Sequence, residues 1–97
     1  MHIKIPHKFT QAQAVGRVKQ ALDEARPKLA GQATLHQEEW SGDTLQFDVE
    51  AQGQRISGTL AVLEHEFELD AKLPLMLRMF EGKIKQAIEE QTKQALG

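Results

Sequence analysis

The chain has 97 residues, of which 40% are hydrophobic and 27% charged, a composition typical of one globular domain spanning residues 1–97. Its formal net charge of −2 argues against nucleic acid as a partner, because phosphate-binding surfaces carry an excess of Lys and Arg. The absence of cysteine excludes disulfides, thiolate catalysis and cysteine-bound metal centres. No apolar stretch approaches the roughly 18 residues that a membrane span needs, so we expect a cytoplasmic protein.

The first thirty residues predict a short strand followed by an amphipathic helix. Residues 2–6 alternate between polar and apolar side chains, and their terminal proline is expected to end the strand or to place it at a sheet edge. Thr10 and Gln13 have the spacing of a capping box, after which apolar residues recur at intervals of three and four. Pro27 removes a backbone donor, so the helix is expected to kink or end near Arg26.

The middle of the chain predicts an antiparallel meander. A two-residue turn at Gln52 and Gly53 sets Val49 opposite Ile56, and each apolar residue of the two strands then faces another apolar residue. A second turn at 64–65 gives a register that agrees with the first. One face of the sheet is therefore expected to be covered and the other solvated, as in antiparallel sheets backed by helices.

In the strand that precedes this meander, the apolar residues do not all fall on the covered face. A turn at Gly42 and Asp43 pairs Trp40 with Leu45 on the covered face, but strict alternation then places Leu35 on the solvated face. We therefore expect a β-bulge or a frayed edge in this strand.

The last third of the chain predicts one long helix, from about Leu75 to Leu96, with Leu77, Phe80 and Ile84 facing the core. The element order is strand, helix, four strands, helix. This order predicts an α+β fold of two layers, in which an antiparallel sheet of four or five strands carries two helices on one face. It is similar to a reduced helix-grip fold, in which a curved sheet wraps the C-terminal helix.

Three segments carry a resemblance to a known family: IPH at residues 5–7, WSGDTLQF at 40–47 and LPLMLRMFEGKIKQAI at 73–88. In this order and spacing they resemble the small polyhydroxyalkanoic acid system proteins, a bacterial family whose genes lie among those for making and using polyhydroxyalkanoate storage granules. The resemblance implies a granule-associated, non-enzymatic accessory protein. It brings no established reaction and no catalytic residue with it.

An apolar run at the start of the last helix is the first candidate binding site. Leu75, Met76 and Met79 fall partly off the core stripe, and methionines beside a leucine form the adaptable surface found at protein contacts. With Phe80 they are predicted to dock onto a granule surface, a granule protein or a second copy in a homodimer. Coverage of these side chains by the sheet and the first helix is the alternative.

A small apolar-ligand carrier is the second interpretation. The ligand would lie between the sheet and the C-terminal helix, near Phe47, Gly58 and Leu77. Gly58 lies opposite Phe47 in the expected register and marks a shallow place on the covered face. A cavity with converging polar groups favours the carrier, whereas a filled core favours the interaction protein.

Other polar residues give weaker signals. His36 and Glu38 are expected on one face of a strand and could bind a metal with His2 or His7, but no spacing is diagnostic, so we expect no metal and no cofactor. Ser41 lacks a nucleophile motif and Trp40 is expected to cap the core. Four carboxylates are expected on the open, solvated face, where their pKa values stay unsuited to acid–base catalysis: Asp48, Glu50, Glu68 and Asp70.

Overall fold

A computed structural model describes the backbone of residues 1–96 and the side chains of residues 1–94, so Gly97 of the expected domain lies outside the described residues. Strands and helices follow the order β-α-β-β-β-β-α-α. Their bounds are β1 His2–Pro6, α1 Gln11–Leu29, β2 Ala33–Ser41, β3 Thr44–Ala51, β4 Gln54–Val62, β5 Glu66–Lys72, α2 Leu75–Arg78 and α3 Glu81–Leu96.

The five strands form one antiparallel sheet in the order β1-β5-β4-β3-β2. This confirms the predicted α+β class and gives the first strand its place at the edge beside β5. There Ile3 pairs with Leu69 and Ile5 with Phe67, so the apolar face of β1 continues that of the meander. Pro6 ends β1, as expected from its missing backbone donor.

The register predicted for the meander is confirmed. Val49 pairs with Ile56 and Phe47 with Gly58 across the β3–β4 hairpin. Gln52 and Gly53 form its turn with φ values of 53° and 76°, the left-handed conformation that two-residue hairpin turns require. Turn geometry and alternating side chains therefore fix the same register.

The expected irregularity in β2 is a bulge. Trp40 pairs with Leu45 as predicted, and the register shifts by one residue between Leu35 and Gln37. The extra residue, His36, brings Leu35 opposite Val49, so that this leucine rejoins the covered face.

Helix α1 covers this face of the sheet. Its N-terminus has the predicted capping box, with Gln13 N donating to Thr10 Oγ1 and Thr10 N donating to Gln13 Oε1, both at 3.1 Å. The sequence predicted that this helix ends or kinks near Arg26. The prediction of an end was wrong, because the helix continues through Pro27 to Leu29. Since the proline lies in the last turn, its missing donor costs the helix little.

The core lies where α1 crosses β1, β5 and β4. Its most buried members come from the sheet and from the first half of α1, and Ile88 of α3 packs against them. Helix α1 therefore supplies the buried helical residues of this cluster. The buried cluster consists of Ile3, Ile5, Ala14, Val18, Val62 and Phe67.

The predicted single C-terminal helix is two helices. Phe80 N donates to Leu77 O at 3.0 Å. This hydrogen bond spans three residues, as in a 3₁₀ helix, and tightens the turn between α2 and α3. Because such a turn contains 3.0 rather than 3.6 residues, the side chains after it point in directions that differ from those in a continuous α-helix. Leu77 and Ile84 are half-buried, whereas Phe80 is exposed, so its assignment to the core stripe was wrong.

Candidate functional site

Helix α2 is a single turn held mainly by its backbone. Leu77 N and Arg78 N both donate to the carbonyl of Pro74, at 2.9 and 3.1 Å. The guanidinium of Arg78 donates to Leu73 O at 3.2 Å and so fastens the turn to the end of β5. This arrangement turns the apolar run outward immediately after Leu73, which is buried.

The four predicted docking side chains are all exposed. Leu75 is 77% exposed, Met76 68%, Met79 83% and Phe80 53%. They follow one another over six residues and form what we call the α2 patch. Of the two alternatives left by the sequence, coverage by the sheet and α1 is therefore not what the chain adopts.

Three cations and one acidic residue, Glu81, lie within or beside the α2 patch in the sequence, and the Glu81 carboxylate lies 3.3 Å from the N-terminal amine. Lys72, Arg78 and Lys83 are exposed within or beside it, although the whole chain carries a net charge of −2. An apolar surface flanked by lysine and arginine favours contact with a partner that is apolar and carries anionic groups.

A cavity of about 390 Å³ lies between the second half of α1 and the sheet. We call it the α1 cavity. Its walls are almost wholly apolar, and it reaches from β2 across β3 and β4 to Leu69 of β5. The helix contributes Val18, Leu22, Ala25 and Leu29, and the sheet contributes Leu35, Leu45, Phe47, Val49 and Leu60.

Arg26 and Glu38, which both line the α1 cavity, form an ion pair. Arg26 donates to Asp23 on its own helix and to Glu38 Oε2 on β2. Desolvation lowers the pKa of Arg26, but the hydrogen bonds and negative charges of Asp23 and Glu38 outweigh it and raise this pKa above its ordinary value. The second oxygen, Glu38 Oε1, is buried without a hydrogen-bond donor among residues 1–96.

The residues predicted for a ligand site are not brought together. Phe47 lines the α1 cavity, whereas Gly58 and Leu77 lie outside its walls. A Cβ on Gly58 would lie 2.8 Å from Ala71 Cα, so the glycine permits a close approach of β5 rather than of a helix. Sequence reasoning missed the ion pair between Arg26 and Glu38. The inward position of Trp40 and strand alternation already place Glu38 on the covered face.

The predicted grouping of His36 with Glu38 is wrong. Because the bulge falls between them, His36 Nε2 lies 2.8 Å from Glu50 on the solvated face, while Glu38 lies in the α1 cavity. His2 instead lies near Glu68 and Asp70, the ligand atoms of the three residues being within 4.8 Å of one another. All of this group is at the surface, with Lys4 Nζ 3.8 Å from the Glu68 carboxylate.

The acidic face of the sheet is a surface of paired charges. Arg55 Nε and Nη2 donate to the two oxygens of Asp48 at 2.8 and 2.9 Å. These hydrogen bonds hold the pKa of Asp48 below its ordinary value of 3.8, against a smaller opposing effect of desolvation. A carboxylate in this state is a weak base, which fits the expected structural role of this face.

Trp40 is half-buried at the end of β2 and packs against the core cluster. Lys19 Nζ lies 5.1 Å from the centre of its ring, a cation–π contact between α1 and the sheet. The neighbouring Ser41 is exposed beside the Gly42 turn. The packing of Trp40 is that of a cap on the core.

The architecture defines a small α+β protein whose five-stranded antiparallel sheet is covered on one face by helices and whose α2 patch lies exposed. A family model described as "Putative polyhydroxyalkanoic acid system protein" matches residues 1–96, and the chain belongs to that family. It matches no curated protein and no solved structure. None of the helices within residues 1–96 combines the length and apolar character that crossing a membrane requires.

Proposed function

We propose that this protein is a non-enzymatic accessory protein of the polyhydroxyalkanoate system that acts in the cytoplasm at storage granules. It docks through the α2 patch onto the granule surface, a granule protein or a second copy of itself. The observation that carries the proposal is the exposure of four large apolar side chains within six residues in a member of this family: Leu75, Met76, Met79 and Phe80.

The α2 patch supplies enough free energy for reversible docking. Burial of a large apolar side chain contributes about 1.5–3 kcal/mol, so covering the four exposed portions contributes on the order of 6 kcal/mol. Association costs at least about 4 kcal/mol in lost rigid-body freedom. A single patch therefore binds weakly, whereas a symmetric dimer that buries two copies of the patch against each other binds more firmly.

The non-enzymatic part of the proposal is supported by the polar groups of the described residues. Charged side chains on the solvated face pair with one another in the open, as Asp48 does with Arg55. Within the α1 cavity, the two ionisable side chains Arg26 and Glu38 bind each other. Neither arrangement prepares a free acid and a free base for catalysis.

Co-sedimentation tests the docking function. Purified protein is mixed with native polyhydroxyalkanoate granules and, separately, with polymer stripped of protein. We expect it to sediment with at least one of them. Sedimentation with both indicates contact with the polymer surface, and sedimentation with native granules alone indicates a granule protein as partner. Absence from both pellets, with a monomeric protein at high concentration, contradicts docking.

A second candidate function is carriage of a small apolar ligand. It is supported by the α1 cavity, whose volume of about 390 Å³ falls within the range of ligand pockets, roughly 300–1,000 Å³. The site differs from that expected from the sequence, since α1 rather than the C-terminal helix covers it. Organic extraction of the purified protein, followed by mass spectrometry, is expected to release an apolar molecule in near-stoichiometric amount.

A further inference from the structure

We infer that the α2 patch binds a surface that bears anionic lipid headgroups, with its apolar side chains among the acyl chains and the neighbouring cations at the headgroups. The inference rests on the docking function proposed above and names the chemistry of the surface that the patch contacts. Three features lead to it: the charge around the patch, the pairing of its one carboxylate and the projection of its side chains.

Positive charge is concentrated around the α2 patch. Residues 72–85 contain one carboxylate, Glu81, and four cations: Lys72, Arg78, Lys83 and Lys85. The rest of the chain holds eight of the 12 Lys and Arg residues and 13 of the 14 Asp and Glu residues. The patch therefore belongs to a basic segment of an acidic protein. An anionic surface attracts this segment and repels the remainder, which orients the protein with the patch toward the surface.

The single carboxylate of this segment has a cationic partner. Glu81 Oε1 lies 3.3 Å from the N-terminal amine of Met1. Lys83 and Arg78 are exposed, and the hydrogen bond from Arg78 to Leu73 O is to a neutral carbonyl, which leaves the charge of the guanidinium in place. The charge that this surface presents to a partner is therefore positive.

The cations lie next to the apolar side chains. Phe80 and Lys83 are three residues apart in the turn that opens α3, where Ile84 N donates to Phe80 O at 2.9 Å, and residues at this spacing are neighbours on a helix surface. Arg78 directly precedes Met79. Arginine and lysine have apolar stems that lie along apolar surfaces while their charges stay in contact with water. Apolar groups beside cations match acyl chains beneath anionic headgroups.

The α2 patch projects from the fold. Leu75, Met76 and Met79 are each at least 68% exposed, so the neighbouring elements cover little of them. A projecting turn enters a fluid lipid surface without needing a matching groove, whereas a rigid protein partner has to supply a groove of complementary shape. The shape of the patch therefore favours a lipid surface over a protein.

Flotation with two kinds of vesicle tests the inference. One kind consists of phosphatidylcholine alone, and the other of phosphatidylcholine and phosphatidylglycerol in equal parts. We expect the purified protein to float with the anionic vesicles and to bind the neutral vesicles at least about tenfold more weakly. Added salt is expected to release the protein from the anionic vesicles, because it screens the attraction between exposed charges.

Lys72→Gln with Lys83→Gln removes two exposed cations beside the patch. We expect this change to weaken binding to the anionic vesicles about 25-fold, at about fivefold for each charge. The matched control is Lys8→Gln with Lys93→Gln, which changes the net charge equally at two exposed positions outside the patch, Lys93 lying in the last turn of α3. The control variant is expected to bind as the native protein does.

Met76→Gln with Met79→Gln tests the apolar part of the contact, since it removes two exposed apolar side chains without changing the charge. Binding to the anionic vesicles is expected to fall about tenfold or more. Undiminished binding by this variant, folded by circular dichroism, overturns the entry of the apolar side chains into the lipid.

The remaining outcomes distinguish the lipid assignment from the docking function. Equal binding to the two kinds of vesicle, or no binding to either by a protein that sediments with granules, overturns the lipid assignment and leaves the docking function standing. Equal losses in the two folded lysine variants overturn the placement of the contact at the patch. Absence from vesicles and from granules alike, with a monomeric protein at high concentration, overturns both.

Discussion

Leu73 and Leu75 are separated by one residue, yet Leu73 is 5% exposed and Leu75 is 77% exposed. The covered face of β5 ends between them and the α2 patch begins. The same substitution at the two positions should therefore have different effects. Leu73→Ala is expected to lower the free energy of unfolding by about 2–5 kcal/mol, and Leu75→Ala to change it by less than about 0.5 kcal/mol.

Urea denaturation followed by Trp40 fluorescence measures both variants at low protein concentration, where self-association contributes nothing. A loss of stability in Leu75→Ala as large as that in Leu73→Ala would mean that the patch is covered within the monomer.

Among the glycines of residues 1–96, Gly58 is the one at which an added methyl group meets the closest contacts. Its Cβ would lie 2.8 Å from Ala71 Cα on β5, too close for either strand to remain in place. We expect Gly58→Ala to cost about 1–3 kcal/mol of stability, as overpacking does. Gly16→Ala in α1 is the control, since nothing lies within 4 Å of its Cβ and helix propensity favours alanine by about 0.5–1 kcal/mol.

The two alanine variants should therefore shift the melting temperature in opposite directions. Stabilisation by Gly58→Ala would show that β4 and β5 are farther apart than the pairing of Gly58 with Ala71 requires.

The docking function, which assigns no ligand to the α1 cavity, predicts a stabilising substitution there. Ala25 lies in the wall of the α1 cavity, so Ala25→Leu places additional methyl groups against apolar side chains. Such cavity-filling changes raise stability by about 0.5–2 kcal/mol. Ala12→Leu, at an exposed position of the same helix, is expected to be nearly neutral. Calorimetry that finds Ala25→Leu destabilising would argue that the cavity is already filled in the native protein.

The hydrogen bonds from Arg55 to Asp48 predict a pH dependence. They lower the pKa of Asp48 in the folded state relative to the unfolded state, so the folded state binds this proton less tightly. The stabilisation is therefore fully present above the ordinary value of 3.8 and is lost as the pH falls through the lowered pKa. Carboxyl NMR titration is expected to show the pKa of Asp48 rising toward 3.8 in Arg55→Gln.

Arg17→Gln removes the same charge from α1, where Arg17 stacks on Phe9, and should leave the titration of Asp48 unchanged. An Asp48 pKa that is the same in native protein and Arg55→Gln would contradict the assigned cause.

The sheet could be predicted from the sequence because its register depends on local patterns. The Gln52–Gly53 turn and the alternation of apolar residues fix which residues of β3 and β4 face each other. The misplaced Leu35 predicted the bulge, since one extra residue returns it to the covered face. The place of β1 beside β5 could not be predicted in this way, because no turn joins these strands.

The candidate sites depend on backbone hydrogen bonds and on packing between segments, which the pattern of apolar residues does not reveal. A backbone hydrogen bond from Phe80 N to Leu77 O, three residues back, interrupts the C-terminal helix, and Phe80 is exposed. Helical periodicity alone places Phe80 in the core. The α1 cavity depends on how far the second half of α1 stands from β2 and β3. The sequence left open whether Met76 and Met79 are exposed or covered by the sheet and α1. How these elements pack against one another decides between the two, and both methionines are exposed.

The central claim is that the α2 patch docks the protein at granules, and co-sedimentation of matched variants tests it most directly. Met76→Glu with Met79→Glu places two charges in the patch, while Gln86→Glu with Gln91→Glu places two at exposed positions of α3. We predict that both double variants fold, that the native protein and the α3 variant sediment with granules, and that the patch variant stays in the supernatant. A folded patch variant that sediments as fully as the native protein would contradict the account.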